Sequence, residues 1–278
     1  MPDPTTAQLR GAKDRPAREL VVAVVFGPLA EALARILLPL GVPPPAVVLA
    51  NAATGFAAAA LIHQEQLVAA AVVLQLKTLL DNADGRLARI WGRVTRLGRF
   101  LDSDADLVVN VALFTALGAV TGEPWRALAA FLALTVVLSA NHNAAELYRE
   151  THGVPVRLPP PTGSLFERAV EGFYRVVFDP QDRLARAFVG RRLERLVGGS
   201  LDEERRLRAA RAYHDRTTMA VVANLGLSTQ LAVLGACLAL DAPEAYLWFV
   251  LGSLALLPVF ALRRERLARR ALSAPPAA

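Results

Sequence analysis

Five of the chain's twelve aspartates fall within 26 residues: Asp81, Asp84, Asp102, Asp104 and Asp106. Their spacing sorts them. On a helix, Asp81, Asp84 and Ala88 share a face at i, i+3 and i+7, and Gly98, Asp102 and Asp106 share one at steps of four, while Asp104 points elsewhere. Four carboxylates gathered in an apolar setting repel one another and are costly to desolvate, so they call for protons or cations. Their oxygens are hard ligands that favour magnesium, manganese or calcium over zinc, and no histidine or cysteine stands beside them. The plain alternative is a set of helix-end carboxylates paired with Arg86, Arg89, Arg93, Arg96 and Arg99. Gly85 and Gly98 argue against it, because neither stabilises a helix while each lets a ligand or a neighbouring backbone approach closely. Paired cations, nearby glycines and arginine are what a pyrophosphate-bearing substrate needs.

Membrane-spanning helices must hold these residues. The 278 residues are 54% hydrophobic and only 20% charged, with a mean hydropathy of +0.36. Long uncharged runs such as Leu107 to Gly122 and Thr217 to Leu240 indicate a membrane. This pattern disfavours a disordered chain, a soluble enzyme with one core and, with Cys237 as the single cysteine, a disulfide-built secreted domain. Six spans are expected, at 45–63, 67–90, 100–121, 125–148, 216–240 and 244–262. By helix rise, Asp81 lies about 22 Å from Gln66 and Asp106 about 24 Å from Gly122, which puts the carboxylates at one depth. The outer loops hold one basic residue, Arg126, and nearly all the other basic residues fall on the opposite side, so both termini are expected in the cytoplasm. The formal charge of +6 is then a cytoplasmic rim, and no nucleic-acid partner is expected. The 29 arginines against two lysines, with 51 alanines, suggest a GC-rich bacterial gene and an inner-membrane location. No signal peptide is expected near the start.

The expected fold is thus an all-α integral membrane protein in four parts. Residues 1–44 form a cytoplasmic tail and an interfacial helix, since Pro28, Glu31, Arg35 and Pro39 interrupt the apolar stretch from Leu20 to Val42. Residues 45–148 hold spans one to four, 149–215 a cytoplasmic amphipathic insertion, and 216–278 spans five and six with a basic tail. In the insertion, Ser164 and Glu167 make a capping box for a helix that stops at Asp179-Pro180. A second helix sets Leu184, Phe188 and Leu196 against Arg183, Arg186, Arg191, Arg192 and Arg195, and Ser200 with Glu203 caps a third that runs on into span five. Two readings of the insertion stand: a surface for anionic lipid headgroups, or a solvated piece packed on the protein.

Asp81-Asn-Ala-Asp84-Gly85-Arg-Leu-Ala88-Arg89, eight residues, Gly98, three residues, Asp102, three residues, Asp106 resembles the complete signature D-x2-D-G-x2-A-R-x8-G-x3-D-x3-D of the CDP-alcohol phosphatidyltransferase family. The resemblance implies transfer of a phosphoalcohol from a CDP-linked donor to an acceptor hydroxyl, with release of CMP, in a six-helix homodimer. It implies that Asp81, Asp84, Asp102 and Asp106 hold two divalent ions, Mg2+ or Mn2+, and that Asp106 also deprotonates the acceptor. Donor contacts would come from Asp81, Asp84, Gly85, Ala88, Arg89 and Gly98. One feature departs from the family: where many members begin the first span with Pro-Asn and a threonine three residues on, this chain has Pro45, Ala46 and Val48. Asn51 and Thr54 are the nearest polar substitutes.

Acceptor candidates are Arg149, Arg211 and Arg216 at the inner ends of spans four and five, together with Asn141 and His142 in span four. The arginines double as positive-inside residues, and the span-four polar groups could equally serve interhelical hydrogen bonds. Three functions follow: phosphatidyl transfer from CDP-diacylglycerol to a polyol or polyol phosphate in phospholipid synthesis; the same chemistry on a soluble CDP-alcohol; or ion transport through intramembrane carboxylates. The last predicts polar groups near the bilayer midplane on several spans, whereas these carboxylates cluster at one side.

Overall fold

The computed structural model describes residues 17, 19–92, 95–153, 163–198 and 202–273. Among these residues the chain is helical, without a strand. A turn of π-helix at Val22–Phe26 leads into α1 (Gly27–Leu37), followed by α2 (Pro44–His63), α3 (Leu67–Ile90), α4 (Arg96–Val120) and α5 (Pro124–Thr151). Then come α6 (Leu165–Val177), α7 (Asp179–Val197), α8 (Glu203–Tyr213), α9 (Arg216–Ala223), α10 (Leu227–Ala239) and α11 (Pro243–Ser273). Among the described residues, five segments are long and apolar enough to cross a membrane: α2, α4, α5, the run Glu203–Ala239 and α11. This is the architecture of a multi-pass membrane protein. At 24 residues α3 has the length to cross, about 36 Å, but it carries Lys77, Asp81, Asp84, Arg86 and Arg89. It packs along α2, which also packs along α4, and two of its charged side chains meet these helices: Asp81 meets Asn51, and Lys77 meets Asp106.

Small residues bring these helices together. In lipid the apolar surface itself gives little reason for helices to associate, so close packing matters more. A Cβ at Gly55 of α2 would collide with Val109 of α4 and crowd Lys77 of α3, which makes this glycine the point where three helices touch. Away from the aspartates the interior is apolar, built from residues such as Leu74, Leu113, Leu117, Leu134 and Leu234. Phe114 sits at its centre, with ring centroids 5.8 Å from both Phe131 and Tyr246.

The expected continuous passage from α8 through span five is broken twice. Asp215 accepts from Thr218 N and starts α9 afresh, and the chain turns again at Asn224–Gly226 before α10. The second break receives the amino-terminal segment: Glu19 Oε2 accepts from Thr229 N at 2.6 Å and from its hydroxyl at 2.7 Å, and Leu20 N donates to Asn224 Oδ1 at 2.7 Å. A side chain at Gly226 would strike Glu19. Asn224 and Thr229 of span five are therefore the dock for the start of the amino-terminal helix. Farther along, Glu31 pairs with Arg86 at 3.2 Å and Ala34 packs with Val47 and Leu87. Leu20, Val24, Leu29 and Ile36 remain exposed.

In the insertion, Ser164 caps α6 as its sequence suggests, while Glu167 reaches back to Gly163 N at 3.0 Å. Ser200 lies outside the described residues; the cap of α8 is Asp202, which accepts from Glu204 N and Arg205 N. Ion pairs and hydrogen bonds tie the insertion to the bundle: Arg96 to Glu171 at 2.6 Å, Asn143 to Asp182 at 2.7 Å, Arg186 to Glu150 at 2.9 Å and Arg192 to Glu265 at 3.0 Å. Leu165, Phe166, Val176, Leu184 and Phe188 face outward.

Candidate active site

The last turns of α3 and the first turns of α4 converge on one cluster. Asp81, Asp102 and Asp106 each present a carboxylate oxygen within 4.8 Å of the other two. Asp84 lies a turn farther along α3, buried, with Oδ1 accepting from Gly85 N. Asp84 Oδ2 and Asp102 Oδ1 are buried without a protein partner. Buried carboxylate oxygens left unsatisfied are costly, so this arrangement fits cations better than it fits a closed protein network. Asp104, set aside by its helical phase, lies outside the group of three.

Three neighbours shape the cluster. Lys77, fully buried one turn before Asp81, places Nζ 2.8 Å from Asp106 Oδ1. Asn51 of α2 donates to Asp81 Oδ1 at 3.2 Å, so the residue noted as a substitute for the altered first-span pattern does reach the carboxylates; Thr54 instead bonds back to Ala50 O. Asn82 donates to Ser228 of α10 at 3.1 Å and fixes the flank of α3. Lys77 is a basic residue within a helix and not part of the cytoplasmic rim. Its position four residues before Asp81, on the face that carries the signature, is the signal that would have found it.

The glycines differ in what surrounds them. A Cβ on Gly85 would meet only the Arg89 guanidinium, at 3.4 Å, so the surface beside Asp84 is open except for a side chain that can move. Gly98 lies in the first turn of α4, where its N–H donates to the Thr95 cap at 3.0 Å. Ala88 is half-buried on the Asp81–Asp84 face.

The acceptor candidates separate. His142 lines a cavity of about 250 Å³ between α4, α5 and the insertion, and Arg149 joins the same ionic network through Glu146 at 3.5 Å. Asn141 is half-buried on α5, while Arg211 and Arg216 are exposed on α8 and α9 and do not line this cavity.

Comparison with known proteins lands on the same region. Residues 42–163 match the family model described as CDP-alcohol phosphatidyltransferase. An uncharacterized protein of Aquifex aeolicus (strain VF5) is 37% identical over 87 residues, a stretch covering 30% of this chain and 44% of that relative's length. No solved structure matches. The family match encloses the complete signature and the aspartate cluster. Over residues 42–163, a little under half of its length, the chain is similar to the CDP-alcohol phosphatidyltransferase family.

Proposed function

We propose that the protein transfers a phosphoalcohol, in the first instance phosphatidyl, from a CDP-linked donor to an acceptor hydroxyl and releases CMP. The observation that carries this reading is the meeting of Asp81, Asp102 and Asp106 within 4.8 Å, inside the family match and beside unsatisfied buried carboxylate oxygens. Asp81, Asp84, Asp102 and Asp106 are the residues that would hold two divalent ions, Mg2+ or Mn2+ by their hard oxygens. Bound there, such ions supply charge neutralisation of the donor diphosphate and of the leaving CMP.

The chain's own residues do the rest. The open face at Gly85 and Ala88 admits the nucleotide end of the donor, with Arg89 beside it to meet phosphate. Lys77 engages Oδ1 of Asp106 and fixes the carboxylate's orientation; the other oxygen can accept the proton of the acceptor hydroxyl as that oxygen attacks phosphorus. A bond forms between the acceptor oxygen and the phosphorus nearer the lipid alcohol, and the bond from that phosphorus to the bridging oxygen breaks, so CMP leaves. Six spans, with α3 the second, both termini in the cytoplasm and the aspartates near that face, would let a soluble acceptor reach a membrane-anchored donor. Outward apolar side chains on α1, α6 and α7, interspersed with arginines, suit contact with anionic lipid. A homodimer is part of the family reading.

Asp106→Asn tests the base assignment. We expect the variant to fold and to bind the CDP-linked donor within about threefold of wild type, while CMP release falls by 10² or more, the scale of general-base catalysis. Undiminished turnover would remove Asp106 from that role.

A further inference from the structure

We infer that Glu19 is a positioning residue for the aspartate cluster: from the amino-terminal segment it caps α10, and so holds Ser228 against Asn82, the neighbour of Asp81. Its consequence for turnover rests on the transferase reading, while its consequences for metal binding and helix order stand apart from it.

The start of α10 needs a cap that it cannot make itself. The helix begins afresh after the break at residues 224–226, and its first internal bond runs from Gln230 N to Gly226 O at 3.1 Å. The N–H groups of Leu227, Ser228 and Thr229 therefore look outside the helix for partners. A side chain on the residue before the first turn ordinarily takes the N–H three residues on, but that residue is Gly226 and has none to offer. Glu19 fills the role. Its Oε2 accepts from Thr229 N at 2.6 Å and from the Thr229 hydroxyl at 2.7 Å, and its negative charge meets the positive end of the helix dipole. The glycine and the glutamate are matched, because a Cβ at Gly226 would strike the Glu19 carboxylate.

The capped turn touches the catalytic helix. Ser228 is buried, and its hydroxyl accepts one amide hydrogen of Asn82 at 3.1 Å, while the other goes back to Thr78 O at 2.8 Å. These two bonds fix the turn of α3 that carries Asp81. Farther along, Gln75 Nε2 donates to Leu231 O at 3.3 Å, so α10 holds α3 at two levels. One turn past Asn82, Arg86 pairs with Glu31 of α1 at 3.2 Å. The contacts form a closed ring from the amino-terminal helix to α10, from α10 to α3, and from α3 back to the amino-terminal helix. Helix ends open first when their caps are lost. Without Glu19 the first turn of α10 loosens, Asn82 loses its anchor, and Asp81 is held less firmly toward a divalent ion.

Mn2+ binding to the purified protein, read by electron paramagnetic resonance with no donor present, tests this together with hydrogen exchange across residues 227–230. Glu19→Ala should speed exchange at Thr229 and weaken Mn2+ binding about fivefold, less than the roughly 10- to 100-fold typical of losing a direct partner of a metal ligand. The Mg2+ needed for half-maximal CMP release should rise by a similar factor. Ser228→Ala should weaken Mn2+ binding alike but leave Thr229 protected, and the double variant should be no weaker than Glu19→Ala, since both residues act through one chain of contacts. Gly226→Ser supplies a local cap that collides with Glu19. Alone it should loosen the turn, but in the Glu19→Ala background it should restore protection and Mn2+ binding to near wild type, which keeps the test decisive even where Glu19→Ala alone folds poorly. Mn2+ binding unchanged in Glu19→Ala or in Ser228→Ala, or a Gly226→Ser change that fails to rescue Glu19→Ala, would overturn the inference. A wild-type protein that binds Mn2+ yet releases no CMP would contradict the transferase reading and leave the Mn2+ and exchange results to decide the role of Glu19.

Discussion

A buried lysine among four aspartates is the least expected residue of the site, and its effect follows from charge. Four carboxylates and one ammonium leave a strong demand for added cations, yet Lys77 contacts Asp106 at 2.8 Å and so favours one orientation of that carboxylate before any ligand arrives. Lys77→Met removes the contact while keeping the volume. It should lower kcat by about 10- to 100-fold, a fraction of the general-base contribution, with a smaller change in donor KM. Lys77→Arg, longer and planar, should recover little of the loss. Steady-state CMP release checks both, and a Lys77→Met enzyme with wild-type kcat would make the lysine structural only. The meeting of Asp81, Asp102 and Asp106 was legible because signature spacing and helical phase agree. Lys77 was not, since positive-inside counting treats a lone basic residue within a span as an exception and never asks which neighbour it faces.

At the scale of elements, α2, α3 and α4 form the rigid frame, and Gly55 is where they come closest. Gly55→Val should drive α2 from Val109 and Lys77, destabilising the bundle by about 1–3 kcal/mol as overpacking does. The measurement is the melting temperature in detergent, and activity should fall with it because Asn51 and Lys77 move with the frame. An unchanged melting temperature would show that the helices part there without cost. Helix ends of α2, α3 and α5 were read from the sequence to within a few residues, because short polar loops and proline at the first turn mark them. The break at Asn224–Gly226 was not legible: hydropathy runs straight through it, and its partner, Glu19, is some two hundred residues away in sequence. The insertion was legible as helices by capping and periodicity, but its grip on α4, α5 and α11 depends on ion pairs that no local pattern reveals.

For the whole molecule, the distribution of basic residues predicts an orientation that can be measured directly. In a Cys237→Ala background, single cysteines introduced by Glu65→Cys, Arg168→Cys and Ser273→Cys should divide cleanly under a membrane-impermeant maleimide. Position 65 should label in intact cells, and positions 168 and 273 only after the membrane is opened. Labelling of 168 from outside would invert the topology and place the aspartates at the wrong face for a cytoplasmic nucleotide. The same arrangement explains how a chain that is 54% hydrophobic can still hold polar groups: the apolar core is built from other residues, and the ionic insertion is tied to the first turn of α4 through Arg96 and Glu171. Metal-dependent transfer at that aspartate cluster is tested most directly by CMP release from the purified protein with CDP-diacylglycerol and a polyol. CMP formation is expected with Mg2+ or Mn2+, with its loss in EDTA and a shift of the metal requirement to higher concentration in Asp81→Asn. CMP formation that persists in EDTA, or an Asp81→Asn enzyme with an unchanged metal titration, would contradict it.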